Sequence, residues 1–123
     1  MKHLILSIAA LSLTACANTQ PVSGKVTQTG EAFIGTATSV LSGPSTLSMT
    51  FDSGSKCTGQ YQAPLVWTET QGASADGTFT CEDGRAGSFS FTGTMQKGQG
   101  FGRMTNGQKF TFVYGDTSFV KQH

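Results

Sequence analysis

A short glycine-centred turn recurs along this chain, and it leaves room for little besides antiparallel β-structure. Four segments share it: TQTGEAFIG around Gly30, FDSGSKCTG around Gly54, CEDGRAGSF around Gly84 and MTNGQKFTF around Gly107. In each, the glycine follows Thr, Ser, Asp or Asn and has extended residues on both sides. Glycine adopts positive φ at no steric cost, so each segment predicts a hairpin turn. Helical periodicity is missing between them. Gly, Thr, Ser and Phe alternate instead through short runs, which predicts an all-β domain.

The turn glycines are spaced by 24, 30 and 23 residues. The last interval is an ungapped match in which GTFTCEDGRAGSF (77–89) lies over GFGRMTNGQKFTF (100–112), so the chain reads as four hairpin-like repeats. The long interval has its extra residues in the 62–76 segment. These segments resemble MORN repeats, in which glycines precede an Asp-Gly turn, an aromatic lies three residues after the turn glycine, and another glycine two further on. Gly30, Phe33 and Gly35 match the second half of that pattern, and Gly77, Phe79 and Gly84 match the first half. Two positions depart from it: Cys57 stands where the aromatic belongs, and Gly87 and Phe89 invert the order. The resemblance covers about residues 27–114. It implies a curved meander sheet and a scaffolding or membrane-proximal role.

One register rule makes the strand reading checkable. If the strand after each turn pairs with the strand before the next, the residue three after one turn glycine faces the residue three before the following one. Phe33 then faces Phe51, Gly35 Met49, and Ala37 Leu47. Cys57 faces Cys81, Gly59 Phe79, and Tyr61 Gly77. Gly87 faces Met104, Phe89 Gly102, and Phe91 Gly100. The rule brings Cys57 and Cys81 within disulfide reach and lays large side chains over glycines in most of the remaining pairs. It also sorts Phe33, Leu47, Met49, Phe51, Tyr61, Phe79, Phe89, Phe91, Met104, Phe110, Phe112 and Tyr114 onto one face, with Thr36, Thr50, Thr58, Gln60, Thr78, Thr80, Ser88, Ser90 and Arg103 on the other. A meander of seven or eight strands with one apolar face must roll over that face or cover it. The predicted fold is therefore a strongly curved sheet closing into a small barrel, with an open MORN-like sheet as the alternative.

Residues 1–15 have the layout of a secretory signal: Lys2 and His3, an apolar run from Leu4 to Leu13, then small residues. Leu13, Thr14, Ala15 and Cys16 resemble the bacterial lipobox. That resemblance implies cleavage before Cys16 and attachment of a diacylglyceryl group to its sulfur, with palmitate among the acyl chains. More than one chain gives stable membrane anchoring, and no later stretch approaches the ~18 apolar residues of a spanning helix. Ala17, rather than Asp, follows the cysteine. By the same resemblance the protein is expected at the outer membrane, on the periplasmic face. Residues 16–26, CANTQPVSGKV, are polar with one proline, one glycine and the lipid-bearing cysteine, and read as anchor plus flexible spacer. Residues 27–123 then form a single β domain.

With Cys16 committed to lipid, Cys57 and Cys81 remain as an even pair in an oxidising compartment, which predicts a disulfide. Metal ligation or redox cycling would require further ligands or a CxxC motif, and neither is present. Beyond the leader the only histidine is His123, so a histidine triad or multi-histidine metal site is excluded. Glu82, Asp83 and Asp52 adjoin turn glycines, where acids serve turn geometry. No cofactor, metal or enzymatic activity is expected. The mature part balances seven basic against seven acidic residues, with no basic stripe to attract nucleic acid.

The 62–76 segment, QAPLVWTETQGASAD, carries the single tryptophan. Trp67, with Val66 and Tyr61, is the candidate partner contact, since Trp and Tyr on loops are favoured interface anchors. The equal alternative has Trp67 folded back to cap one end of the sheet. The expected function is a non-enzymatic, membrane-anchored module for interaction with an envelope protein or for envelope scaffolding. Binding of an apolar or lipid ligand is one alternative. A small enzyme-inhibitor lipoprotein is another, although the SGxxY and WxKG motifs of the lysozyme-inhibiting lipoproteins are missing.

Overall fold

A computed structural model describes residues 17–40 and 43–115. Eight strands follow one another: β1 (Ala17–Val26), β2 (Ala32–Val40), β3 (Pro44–Phe51), β4 (Lys56–Gln62), β5 (Ala73–Cys81), β6 (Ala86–Gly93), β7 (Gly98–Met104) and β8 (Lys109–Tyr114). Each pairs antiparallel with its neighbour in sequence. β1 also pairs with β8, from Val22 opposite Tyr114 to Val26 opposite Phe110, which closes the barrel and leaves no edge. The open-sheet alternative does not form.

All nine register pairs expected from the turn rule are present on β2–β3, β4–β5 and β6–β7. The reason is that the turns have nearly uniform geometry. Gly54, Gly84 and Gly107 have φ between 92° and 94°, and in each hairpin the residue three before the glycine bonds both to the glycine and to the residue after it, as between Phe51, Gly54 and Ser55. That is a type I turn followed by a left-handed glycine bulge. The first turn is one residue longer, with Gly30 N–H donating to the Val26 carbonyl.

All twelve residues assigned to the apolar face are buried inside the barrel. Glycines make room for them. A Cβ added at Gly102 would collide with Phe110 Cζ and lie 2.6 Å from the Ser88 carbonyl oxygen, and Gly24, Gly77 and Gly100 are covered in the same way by Phe33, Phe89 and Phe112. Large side chains thus fill the space left by glycines on the adjoining strand, as small closed barrels require. Thr, Ser, Gln and charged residues occupy most of the outer wall, with Ile34 and Phe101 exposed among them. This is the reverse of a membrane-spanning barrel, which is apolar outside and polar within.

One boundary differs from the sequence reading. Residues 17–26, expected as flexible spacer, form β1, so the folded domain includes residues before 27. The segment looks polar because only alternate residues face inward, and one of those is Gly24. Val22 and Val26, 3% and 0% exposed, supply its apolar contacts. Propensity alone does not hold β1 in place: it is wedged between β2 and β8, whose ladders satisfy its backbone.

The four turns latch to one another around their end of the barrel. Asp52 accepts from the Ala32 N–H at 3.0 Å, Glu82 from the Lys56 N–H at 3.3 Å, and Gln28 from the Lys109 N–H at 3.0 Å. The Thr105 N–H donates to the Ala86 carbonyl and completes the circuit. Arg85 then crosses the opening. Its guanidinium lies 4.1 Å from the centre of the Phe51 ring and is ion-paired at 2.9 Å with both Glu31 and Asp83. Hydrogen bonding from Arg85 holds the Asp83 carboxyl below the usual carboxylate range. The turn acids therefore serve as latches, and this end is sealed.

Candidate functional site: the Trp67 end of the barrel

The opposite end is closed by loops rather than turns. Residues 63–72 join β4 to β5 and fold back over the lumen, tied down by the Ala63 N–H to the Gly43 carbonyl at 3.2 Å and by the Met95 N–H to the Thr68 carbonyl at 3.0 Å. Trp67 is 7% exposed, and its indole N–H donates to the Gly93 carbonyl at 2.9 Å. Its ring lies 5.9 Å from Phe91, which also makes edge contacts with Tyr61 at 5.2 Å and Tyr114 at 5.4 Å. Such aromatic pairs contribute about 0.5–1.5 kcal/mol each beyond area burial.

Beneath Trp67 lies a cavity of about 20 Å³, lined by Ser39, Tyr61, Phe91 and Tyr114 among others. That is room for about one water. Its polar groups are mostly mutually satisfied. The Ser39 and Tyr61 hydroxyls hydrogen-bond at 2.6 Å, and the Tyr114 hydroxyl donates to the Thr94 carbonyl at 2.8 Å. Among the described residues, no carboxylate, imidazole or amine lines it. Among the described residues, no three His, Cys, Asp or Glu side chains cluster to hold a metal. The arrangement is suited to packing against apolar matter with one or two polar handles, and it lacks a base to activate its hydroxyls.

Burial pushes the Tyr114 phenol up to about 12, with nearby Tyr61 adding to the shift, and burial also raises Tyr61 against the opposing Ser39 hydrogen bond. Both phenols are therefore held neutral in the folded state. Because these pKa values lie above the unfolded value near 10, the associated stability is fully present below about pH 10 and is lost as pH rises toward about 12. Equilibrium denaturation between pH 9 and 12 should show the midpoint falling in that window. Tyr114→Phe should flatten the fall, and a midpoint indifferent to pH would show that the phenols stay solvated.

The sequence-predicted contact residues divide between inside and outside. Trp67 and Tyr61 are core residues, so they do not act as anchors on an outer surface; of the two roles weighed for Trp67, the inward cap is the one observed. Val66, 58% exposed, points outward with Leu65, 82% exposed. Cys57 and Cys81 are bonded, with Cα atoms 3.9 Å apart. Cys16, residues 1–15 with the layout expected of a signal, and His123 lie outside the described residues. Sequence reasoning missed Gln20, which lines the cavity from β1, because β1 read as spacer; the alternation of Val22, Gly24 and Val26 was the available signal. It also missed Ser39, whose role depends on a partner 22 residues away.

No protein-family model and no curated protein matches the chain. Among solved structures, it is similar to a redesigned β-barrel, mFAP1, bound to DFHBI. The identity is 11%, the match covers 83% of this chain and 95% of that one, and the TM-score is 0.58. It is also similar to a de novo designed fluorescence-activating β-barrel, at 9% identity, 79% and 89% coverage and a TM-score of 0.57. At such identities the likeness is one of fold.

Proposed function

We propose that this chain is an exported lipoprotein, held at the outer membrane by a lipid on Cys16 and facing the periplasm, whose barrel is a non-enzymatic interaction module. The observation that carries this reading is where the chain joins the barrel. Ala17 opens β1 opposite Val40, on the rim that also holds the Trp67 loop. A lipid on the preceding residue leaves no spacer, so that rim is held against the bilayer. Among the described residues the cavity sets no carboxylate, imidazole or amine beside its hydroxyls, which supports a binding role over a catalytic one. The MORN-like turn pattern fits the same membrane-proximal role.

A second reading, binding of a small apolar ligand, draws on the aromatic cavity and on the kinship of fold with designed barrels, one of them bound to a small molecule. The cavity's size requires the 63–72 loop to lift before anything larger than water enters. Native mass spectrometry of the protein from cells, after removal of its acyl groups, decides between the two. Bound lipid would favour this second reading.

The anchoring is tested by growing cells with radiolabelled palmitate. The wild-type protein should take up label and Cys16→Ser none. Label retained by the variant would overturn the lipoprotein assignment.

A further inference from the structure

We infer that the exposed tip Leu65–Val66, with Val40 on the same rim, is a membrane-contacting rim that rests on the lipid surface and orients the barrel upright; the inference depends on the lipid anchor proposed above.

The rim is continuous with the anchor point. Ala17 pairs with Val40, the Gly43 N–H donates to the Val40 carbonyl at 3.1 Å, and the Ala63 N–H donates to the Gly43 carbonyl at 3.2 Å. From Ala63 the chain passes through Pro64 to Leu65 and Val66, whose side chains are 82% and 58% exposed, while Val40 is 42% exposed. Trp67 is pinned inward by its bond to Gly93, so the two residues before it are held outward. Exposed Leu and Val gain by leaving water, and a bilayer within one residue of the same rim supplies the place.

Charge is distributed to match. Glu31, Asp52, Lys56, Glu82, Asp83 and Arg85 all lie in or beside the turns at the far end, as do Lys25 and Lys109. Among the described residues the loops at the Trp67 end carry only Glu69 and Lys97, with Asp76 exposed on β5 toward that end. Burying charge in a bilayer is costly, so on the described residues the Trp67 end is the better suited to lipid and the turn end to water. Acyl chains fix the distance to the membrane but not the tilt of the barrel. A second apolar contact supplies the orientation and strengthens the attachment.

The test is carbene footprinting of the full lipidated protein, purified and reconstituted into vesicles of phosphatidylethanolamine with a minority of phosphatidylglycerol. Ile34 and Phe101, 67% and 63% exposed on the barrel wall, serve as internal references. Leu65 and Val66 should be labelled several-fold less than these references on vesicles, and Leu65→Ser with Val66→Ser should restore labelling of Val40. Equal labelling of rim and wall in protein whose intact mass shows the acyl groups on Cys16 would overturn the rim and leave the anchor standing. Protection in intact cells without protection on vesicles would assign the rim to a protein partner and overturn the inference. Protein with no acyl mass would overturn anchor and rim together.

Discussion

Trp67→Ala should destabilise the barrel by about 3–5 kcal/mol, the range for removing a buried tryptophan. Trp67 is 7% exposed, lies tilted against Phe91 and donates to the Gly93 carbonyl, so its loss costs packing and removes that carbonyl's donor. It also unroofs a cavity that now has room for about one water, and an apolar hole of that kind takes up small guests such as xenon or benzene. Denaturant unfolding followed by far-ultraviolet circular dichroism measures the loss without relying on the missing fluorophore. Trp67→Phe should keep most of the packing and lose about 1 kcal/mol for the hydrogen bond. A loss below about 1 kcal/mol for the alanine variant would mean that the 63–72 loop opens independently of the barrel. That outcome would strengthen the ligand-binding reading, because the lid would then be easy to lift.

The second large effect is expected at the disulfide. Replacing Cys57 and Cys81 with alanine should lower stability by about 3 kcal/mol, from a loop-entropy estimate for a bridge closing a sequence separation of 24. The location adds a structural reason. The β4–β5 ladder has five paired positions, from Cys57–Cys81 to Tyr61–Gly77, and only the closing β1–β8 ladder is as short. Those two strands are also joined by the long 63–72 loop instead of a tight turn. The bridge therefore staples one of the two weakest seams at its turn-side end, while Trp67 and its loop hold the other end. Comparing oxidised, reduced and double-alanine protein by denaturant midpoint checks this; equal midpoints would show that the ladder closes without the bond. The double variant should also loosen the loop, read as faster amide exchange at Thr68, whose N–H bonds to the Gln71 carbonyl, and at Met95, whose N–H bonds to the Thr68 carbonyl.

The residues explain which parts of this architecture could be read in advance. Gly54, Gly84 and Gly107 could be read because a left-handed glycine after a type I turn is a local requirement with a local signature. Once the turns were placed, register followed by counting, and register alone brought Cys57 to Cys81 and Phe91 to Gly100. β1 was not legible. Its ten residues include Pro21, Ser23 and Gly24, and they become a strand only because β2 and β8 flank them in three dimensions. Trp67 was ambiguous for a similar reason: a loop tryptophan faces inward or outward according to whether an acceptor waits inside. Here the acceptor is the Gly93 carbonyl, 26 residues away.

Local chemistry in the chain thus determined the turns, the strand faces and the cysteine pairing, because each depends on residues close in sequence or related by a fixed count. Closure of the barrel through β1, the sealing of its two ends by Arg85 and Trp67, and the placing of Leu65 and Val66 on the rim where β1 begins were decided only in the tertiary structure. Those features depend on contacts between residues far apart in sequence, and no local pattern encodes a long-range contact until the strands between have been laid side by side.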